Sequence, residues 1–182
     1  MGGASYGTSG GFTPNITLDY LNDITGGEGS WFHFSSYGDL NDVAFINRGN
    51  TGGSPSNQRG KIVFTADPGF LATLNSFDMA SFDLASVGEV NLRVRDGSGS
   101  VLFESLATSF NESHTNIMFS PPLSASVLQL ELDVFGIANN IDSLGLDNIE
   151  FGQIIIPEPG SVIVLGLGML GLGMRRRTAW RS

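Results

Sequence analysis

The feature that most constrains the fold of this chain is the alternation of apolar and polar residues in short runs. Residues 128–134 read Leu-Gln-Leu-Glu-Leu-Asp-Val, and residues 90–95 read Val-Asn-Leu-Arg-Val-Arg. Successive side chains of a β-strand point to opposite faces, so each run places its apolar residues on one face and its polar residues on the other. Residues 12–153 contain no comparable repeat of 3.6 residues, which predicts an all-β body made of half-buried strands.

Turn-forming segments separate these runs. Residues 96–99, Asp-Gly-Ser-Gly, lie between the run at 90–95 and an extended segment at 101–103, which predicts a hairpin. The long stretch 47–60 is rich in Gly, Asn, Ser and Pro and predicts a loop. Further strands are predicted at residues 31–37, 43–46, 61–65, 77–84, 116–120 and 145–151. We therefore expect an antiparallel β-sandwich or jelly roll.

The distribution of charge excludes several functions. The chain of 182 residues has room for one domain and a tail, and it contains no cysteine, which excludes disulfides, zinc–thiolate sites and thiol nucleophiles. Residues 1–156 carry 5 basic and 17 acidic side chains, a net charge of −12, whereas residues 157–182 carry a net charge of +3. An acidic body repels phosphates, so we expect no nucleic-acid partner.

The C-terminal tail combines three unrelated features in a fixed order. Pro157-Glu158-Pro159 comes first, and its prolines fix φ and remove backbone donors. An uncharged apolar run follows, and Arg175, Arg176 and Arg177 come directly after it. The apolar side chains of the run are Val162, Ile163, Val164, Leu165, Leu167, Met169, Leu170, Leu172 and Met174.

This run predicts a short transmembrane helix. At about 1.5 Å per residue, residues 160–174 span about 22 Å, less than the hydrocarbon core of about 30 Å. Snorkelling arginines, local thinning of the bilayer or inclusion of residues 178–180 would close that gap. Basic residues beside a span stay on the cytoplasmic side, so Arg175 to Arg177 are expected to fix its orientation. A buried C-terminal strand or helix is the alternative.

The ordered tail closely resembles the PEP-CTERM sorting signal of Gram-negative surface and exopolysaccharide-associated proteins. This resemblance covers about residues 154–182 and implies that an exosortase-type membrane protease recognises Pro157, Glu158 and Pro159. Together with the Gly- and Ser-rich start and the strand pattern of the body, it divides the chain into a flexible lead (1–11), a β-sandwich ectodomain (12–153) and a sorting and anchor segment (154–182). The protein would lie in the cell envelope, anchored to the bacterial membrane with its ectodomain outside the cytoplasm, or be released after processing of the tail.

The N-terminal segment does not supply the export signal that this location requires. Residues 1–11 contain neither a basic region nor an apolar core of the kind that signal peptides have. We therefore expect a signal encoded upstream of Met1, in a reading frame whose start was assigned too late. A protein that is never exported is the alternative.

Two segments of the body add a second resemblance. Residues 75–84 and 145–151 are similar to stretches of PEP-CTERM ectodomains, which are jelly-roll-like and similar to galactose-binding and carbohydrate-binding modules. In such modules a terminal Asp-x-Ile-x-Phe strand often supplies a ligand to structural calcium, and Asp147 matches that position. Asp19, Asp23 and Asp142 would join it if the ends of the domain lie side by side. Structural calcium is the sole cofactor that we consider.

Aromatic residues near the start of the body are the candidate ligand platform. Trp31 and His33 share one face of a predicted strand, and Tyr37 lies close by. These three residues could stack on a sugar ring, or the larger rings could instead pack in the core. A catalytic pair of carboxylates is not expected, because the odd spacing of Asp78 and Asp83 places them on opposite faces of a strand.

Together these patterns predict a non-enzymatic, exported protein that is sorted to the envelope through its tail. It would associate with extracellular polysaccharide or with the cell surface. The alternatives are a carbohydrate-binding module with a defined glycan ligand, a small surface hydrolase, and a purely structural matrix component.

Overall fold

The described part of the chain forms two antiparallel β-sheets of five strands each. The computed structural model describes residues 13–22, 30–47, 58–81, 88–111, 113–135 and 144–157. The strands are β1 (Ile16–Asn22), β2 (Ser30–Tyr37), β3 (Leu40–Asn47), β4 (Gln58–Ala66), β5 (Phe70–Ser81), β6 (Gly88–Asp96), β7 (Val101–Phe110), β8 (Thr115–Ala125), β9 (Val127–Phe135) and β10 (Leu144–Ile155). No helix occurs in these ranges, and the predicted antiparallel β-sandwich is confirmed.

The order of the strands places the C-terminal strand at the centre of one sheet. The first sheet has the order β1-β4-β9-β6-β7, and the second sheet has the order β2-β3-β10-β5-β8. Short connections that cross between the sheets include the turn at 67–69, residues 111–114 and the single residue Ser126. Because β10 pairs with β3 on one side and β5 on the other, the last strand before the tail is held on both edges.

The apolar faces of the two sheets form one core. The alternating residues of β9 and β6 are fully buried, as the sequence predicts: Leu128, Leu130, Leu132, Val134, Val90, Leu92 and Val94. Aromatic contacts join the sheets, since Phe64 of β4 lies 5.4 Å from Phe151 of β10 between ring centroids. Phe103 of β7 meets Phe119 of β8 edge to face at 5.0 Å. Burial of this apolar surface is the main stabilisation of the sandwich.

Several strands are longer than the sequence predicts, and one is missing from the prediction. β7 continues to Phe110 rather than ending at 103, and β8 continues to Ala125 rather than ending at 120. β5 begins at Phe70 rather than at residue 77, and β10 continues to Ile155 rather than ending at 151. β1 was not predicted. The start of β5 reads Phe-Leu-Ala-Thr-Leu and carries no period-two signal, because both of its faces are covered.

Prolines in β8 are consistent with its position in the sheet. Pro121 and Pro122 lie in this strand and are exposed. Proline cannot donate to a ladder and is therefore confined to edge strands and bulges. β8 is an edge strand of the second sheet, so its outer edge does not need those donors.

The predicted transmembrane segment, residues 162–174, lies outside the described residues. Among the residues that are described, no helix reaches the length and apolarity that crossing a membrane would need.

Candidate functional site on the second sheet

The two sheets differ in how their charges are arranged. All four basic residues within the strands, Arg59, Lys61, Arg93 and Arg95, belong to β4 and β6 of the first sheet. Several are paired there, since Arg59 Nε lies 2.9 Å from Asp133 Oδ1 and Arg95 Nε lies 3.0 Å from Glu131 Oε2. Within its described strands, the second sheet therefore carries acidic side chains and no basic ones.

A carboxylate lies on the face of this sheet away from the core. Asp78 of β5 alternates with Phe77 and Met79, both of which are buried in the core, so its side chain projects from the opposite face of the sheet. Only 8% of Asp78 is exposed. Its Oδ1 accepts a hydrogen bond of 2.7 Å from Asn116 Nδ2 of β8, and its Oδ2 accepts one of 2.8 Å from Asn148 Nδ2 of β10. Both carboxylate oxygens are thus bound by amide groups.

A β-bulge in β10 brings Asn148 to this position. Asp147 pairs with Asp78, and Glu150 pairs with Ser76, so Asn148 and Ile149 together oppose one residue of β5. Asn148 has φ of 49°, in the left-handed region that Asn tolerates better than most residues. Its backbone N–H donates to its neighbour, Asp147 Oδ1, at 2.7 Å. We call Asp78, Asn116, Asn148 and Asp147 the amide cluster.

The amide cluster presents oriented hydrogen-bonding groups to solvent. Asn116 and Asn148 are exposed, and each uses one N–H on Asp78, which leaves the amide oxygen and a second N–H available. A neighbouring row contributes Ser76 Oγ, which donates to Glu150 Oε2 at 3.2 Å. Carboxylates accept, and amides both donate and accept, so this surface is suited to a ligand rich in hydroxyl groups.

A second polar contact joins the hairpin of the second sheet to the start of β8. Asp39, in the tight β2–β3 turn, accepts through Oδ1 from the backbone N–H of His114, and its Oδ2 lies 2.8 Å from His114 Nδ1. This hydrogen bond is the main reason that the pKa of His114 is raised and that of Asp39 is lowered. No pattern in the sequence predicts this contact of His114.

Of the three residues in the predicted aromatic platform, only Tyr37 has a described side chain. Trp31 and His33 lie in β2, where their backbones pair with Ile46 and Ala44, and nothing further is described of their side chains. Tyr37 is 1% exposed and packs with a small apolar cluster that includes Val43. Its burial leaves no ring face on which a sugar could stack, so a platform role for Tyr37 does not fit its position. β2 and the amide cluster belong to the same sheet.

Asp147, predicted as a calcium ligand, lies instead within the amide cluster. It is opposite Asp78 in the strand register, and one of its carboxylate oxygens accepts the N–H of Asn148. Within the described ranges, no three His, Cys, Asp or Glu side chains converge in a way that could hold a metal ion. Of the other predicted calcium ligands, Asp19 lies in β1, whereas Asp23 and Asp142 fall outside the described residues.

The sequence did not reveal the amide cluster. Asn116 and Asn148 are separated by more than thirty positions in the chain, and the bulge that turns Asn148 toward Asp78 has no sequence signature of its own. The one available signal was the Asp-Asn pair at 147–148 inside a predicted strand, since both residue types are rare in strands.

Most of the predicted sorting residues lie outside the described part of the chain. Pro157 is the last described residue, and it is exposed. Glu158, Pro159, the apolar run and Arg175 to Arg177 follow it in the sequence.

Three solved structures are similar in backbone to the described fold. A CBM4 structure has a TM-score of 0.41 and 12% identity, with 76% of this chain and 87% of that chain covered. A family 11 carbohydrate-binding module from Clostridium thermocellum, in complex with a β-1,3-1,4-mixed-linked tetrasaccharide, has a TM-score of 0.34 and 15% identity over 78% and 89% of the two chains. At these values the similarity transfers neither ligand nor activity to this chain.

The third structure is the enzymatically active domain of tailspike protein 4 from bacteriophage CBA120. Its TM-score is 0.36 and its identity 12%, with 78% of this chain covered. This chain spans only 20% of that protein, so the likeness concerns one part of it. No curated protein matches the sequence.

A family model identifies the tail. The model describes the PEP-CTERM protein-sorting motif, and it matches residues 156–177. The match covers Pro157-Glu158-Pro159, the apolar run and the three arginines, in the order that the sequence predicted. The chain is therefore an all-β sandwich that carries a C-terminal PEP-CTERM protein-sorting motif.

Proposed function

We propose that this protein is exported and delivered to the bacterial envelope through its PEP-CTERM motif, as a non-enzymatic component of the surface or of its polysaccharide. The observation that carries this proposal is where the motif begins. Ile156 is the first matched residue, and its backbone N–H donates to the carbonyl oxygen of Gly69 at 2.8 Å. The sorting motif thus starts where the β-sandwich ends, as expected for a sorting signal that follows a complete folded domain.

Each part of the tail has a distinct role in this proposal. Pro157, Glu158 and Pro159 form the element that an exosortase-type membrane protease recognises, since prolines keep the segment from extending β10 or starting a helix. Residues 162–174 insert in the bacterial membrane. Arg175 to Arg177 remain on the cytoplasmic side and set the orientation.

The test distinguishes the effect of positive charge at residues 175–177 from the effect of arginine itself. Arg175, Arg176 and Arg177 are replaced together by Gln in one variant and by Lys in a matched control, in cells that produce an exosortase. We expect the Gln variant to lose envelope retention and the Lys variant to keep it, because the positive charge fixes orientation. Equal retention of the Gln variant would contradict the proposal.

A second candidate function is the binding of a neutral polysaccharide at the amide cluster. Its support is the pair of exposed amides that Asp78 orients, on a sheet whose strands contain no Lys or Arg. An acidic surface of this kind suits uncharged glycans better than anionic ones.

Binding to immobilised neutral β-glucans and galactans tests this candidate. Asn116→Ala is expected to weaken retention severalfold, whereas Thr65→Ala, an exposed polar change on the first sheet, is the matched control. Trp31→Ala reports separately on the predicted aromatic platform. Release of reducing sugar that is lost in Asp147→Asn would contradict the non-enzymatic assignment and favour a surface hydrolase.

A further inference from the structure

The C-terminal end of β10 carries an exposed apolar patch. Ile154, Ile155 and Ile156 are 49%, 69% and 43% exposed, and we call these three residues the isoleucine patch. Neighbouring residues of a strand point to opposite faces, yet all three side chains reach solvent. The end of the strand therefore projects beyond the core and exposes apolar surface on both of its faces.

The patch is held firmly although it is exposed. Ile154 pairs with Leu71 and Ile155 with Phe70, and the N–H of Ile156 binds Gly69 O. Its position is thus fixed relative to the turn at 67–69. Three consecutive exposed isoleucines are unusual on a water-facing surface and commonly mark an interaction site.

The length of the following segment limits what can lie next to the patch. Residues 157–161 are the five residues between the isoleucine patch and the apolar run that begins at Val162. A fully extended chain covers at most about 3.3–3.6 Å per residue, so the six steps from Ile156 to Val162 span at most about 22 Å. The headgroup layer takes up about 5–7 Å of that distance on each side of the hydrocarbon core. The isoleucine patch then lies within about 16 Å of the lipid surface, if the run inserts.

The charges near the patch do not oppose such an approach. Residues 13–15, 67–70 and 153–157 are joined to one another beside the patch by hydrogen bonds, and Asp67 is the one charged side chain in these three segments. The ion pairs of the first sheet, by contrast, lie along β4, β6 and β9, within the strands. The segments directly beside the patch thus carry a single charged side chain, and the β6–β7 hairpin with Asp96 lies at the same end of the first sheet.

We infer that the isoleucine patch docks on the surface of the lipid bilayer and holds the sandwich against the membrane before the tail is processed. This inference rests on the proposed insertion of the apolar run. The tether brings the patch to the headgroup layer, and burial of the isoleucines there removes apolar surface from water. Residues 157–161 limit only the distance between the domain and the bilayer. Docking of the isoleucine patch would also fix the orientation of the domain.

The test uses the full chain in vesicles of phosphatidylethanolamine and phosphatidylglycerol. Because the chain has no cysteine, one introduced thiol gives a single labelling site. A fluorophore is attached at Asp67→Cys, beside the patch, or at the control site Met118→Cys, where the native side chain is 72% exposed. Met118 pairs with Ser76, six residues along β5 from Phe70, which is about 20 Å farther from the anchored end.

Quenching by nitroxide-labelled headgroups gives the readout. We expect the fluorophore at position 67 to be quenched about threefold more strongly than the one at 118, because only the patch end reaches the headgroups. In the Ile154→Asn/Ile155→Asn variant, quenching at 67 should fall to the level at 118. The matched control, Val101→Asn/Leu106→Asn, changes two exposed apolar residues of β7 and should leave quenching unaltered.

The outcomes distinguish this inference from the proposed function. Flotation with the vesicles and equal quenching at both sites would overturn docking of the patch and leave anchoring intact. Quenching at 67 that persists in the Asn variant would overturn it as well, since the tether alone would then explain proximity. Failure to float would contradict anchoring itself, and with it the inference. Ile155→Asn alone provides a milder variant and should reduce quenching partially.

Discussion

The backbone N–H of Ile156 binds the carbonyl oxygen of Gly69 at 2.8 Å, which keeps the chain in the second sheet up to the first residue of the sorting motif. The fold and the motif therefore meet without a linker. Processing on the C-terminal side of Pro157 would leave every described strand complete.

A chain that ends at Pro157 is expected to unfold at the same urea concentration as the full chain. A chain that ends at Gln153 lacks the pairings of Ile154 and Ile155 and the bond from Ile156, and it should lose about 2 kcal/mol at roughly 1 kcal/mol per hydrogen bond. Urea titrations followed by far-UV circular dichroism measure both chains. Equal stability of the two truncated chains would show that the end of β10 does not contribute.

The positive φ of Asn148 predicts an inverted order of substitutions. At φ of 49°, Ala is strained and Gly is not, so Asn148→Gly should be more stable than Asn148→Ala by about 1 kcal/mol. Both variants lose the hydrogen bond to Asp78, so their difference isolates the backbone. At Asn116, which is not among the residues with positive φ, the order should reverse and Ala should be the better replacement. The same order at both positions would contradict the bulge geometry.

Gly145 and Gly152 of β10 differ in how closely neighbouring atoms would approach an added Cβ. A Cβ at Gly145 would lie 2.7 Å from ring carbons of Tyr37, which is fully buried. We expect Gly145→Ala to cost about 2 kcal/mol, because neither the ring nor the strand can move freely. At Gly152 the nearest atom is Thr73 Oγ1 at 3.1 Å, so Gly152→Ala should cost clearly less. Thermal unfolding of the two variants, at matched concentration, measures the difference.

The contact between Asp39 and His114 predicts a pH dependence. The pKa of His114 is raised, chiefly by its hydrogen bond with Asp39, so the stabilisation is complete below the ordinary value of 6.5 and is lost as pH rises through the raised pKa. The pKa of Asp39 is lowered, chiefly by the same bond, so its stabilisation holds above the ordinary value of 3.8 and is lost as pH falls through the lowered pKa. The contact is therefore strongest between those two ordinary values.

An NMR titration of the His114 ring checks this dependence. The midpoint should lie above 6.5 in the native chain and return toward 6.5 in Asp39→Asn. Replacement of the exposed Asp67 by Asn is a matched control and should leave the midpoint unchanged. A native midpoint at or below 6.5 would show that the carboxylate does not bind the imidazolium.

The sequence predicted those parts of the fold in which one face of a strand is buried and the other face is exposed to solvent. The run at 128–134 and the hairpin after residue 95 are such cases, because alternation records burial directly. The first half of β5 was missed because it is covered on both faces, so its composition does not alternate. The tail was recognised in full, since its signal is an order of residue types and does not depend on packing.

The candidate site was harder to predict for a physical reason. Asp78, Asn116 and Asn148 meet across three strands that are not consecutive in the chain, and their approach depends on strand order and on one bulge. The composition of a local segment indicates neither the order of the strands nor the position of the bulge. Tyr37 illustrates the converse, because an aromatic residue at a strand end looks accessible in the sequence but is buried in the fold.

The most direct test of the account compares the full chain with a chain that ends at Pro157, both produced with the same N-terminal export signal in cells that contain an exosortase. Intact cells are treated with external protease, and the envelope, periplasm and medium are then separated. We predict that the full chain is found in the envelope and at the surface or, after processing, in the medium. The shortened chain should remain folded and accumulate in the periplasm. The same distribution for both chains would contradict the role of the tail in sorting.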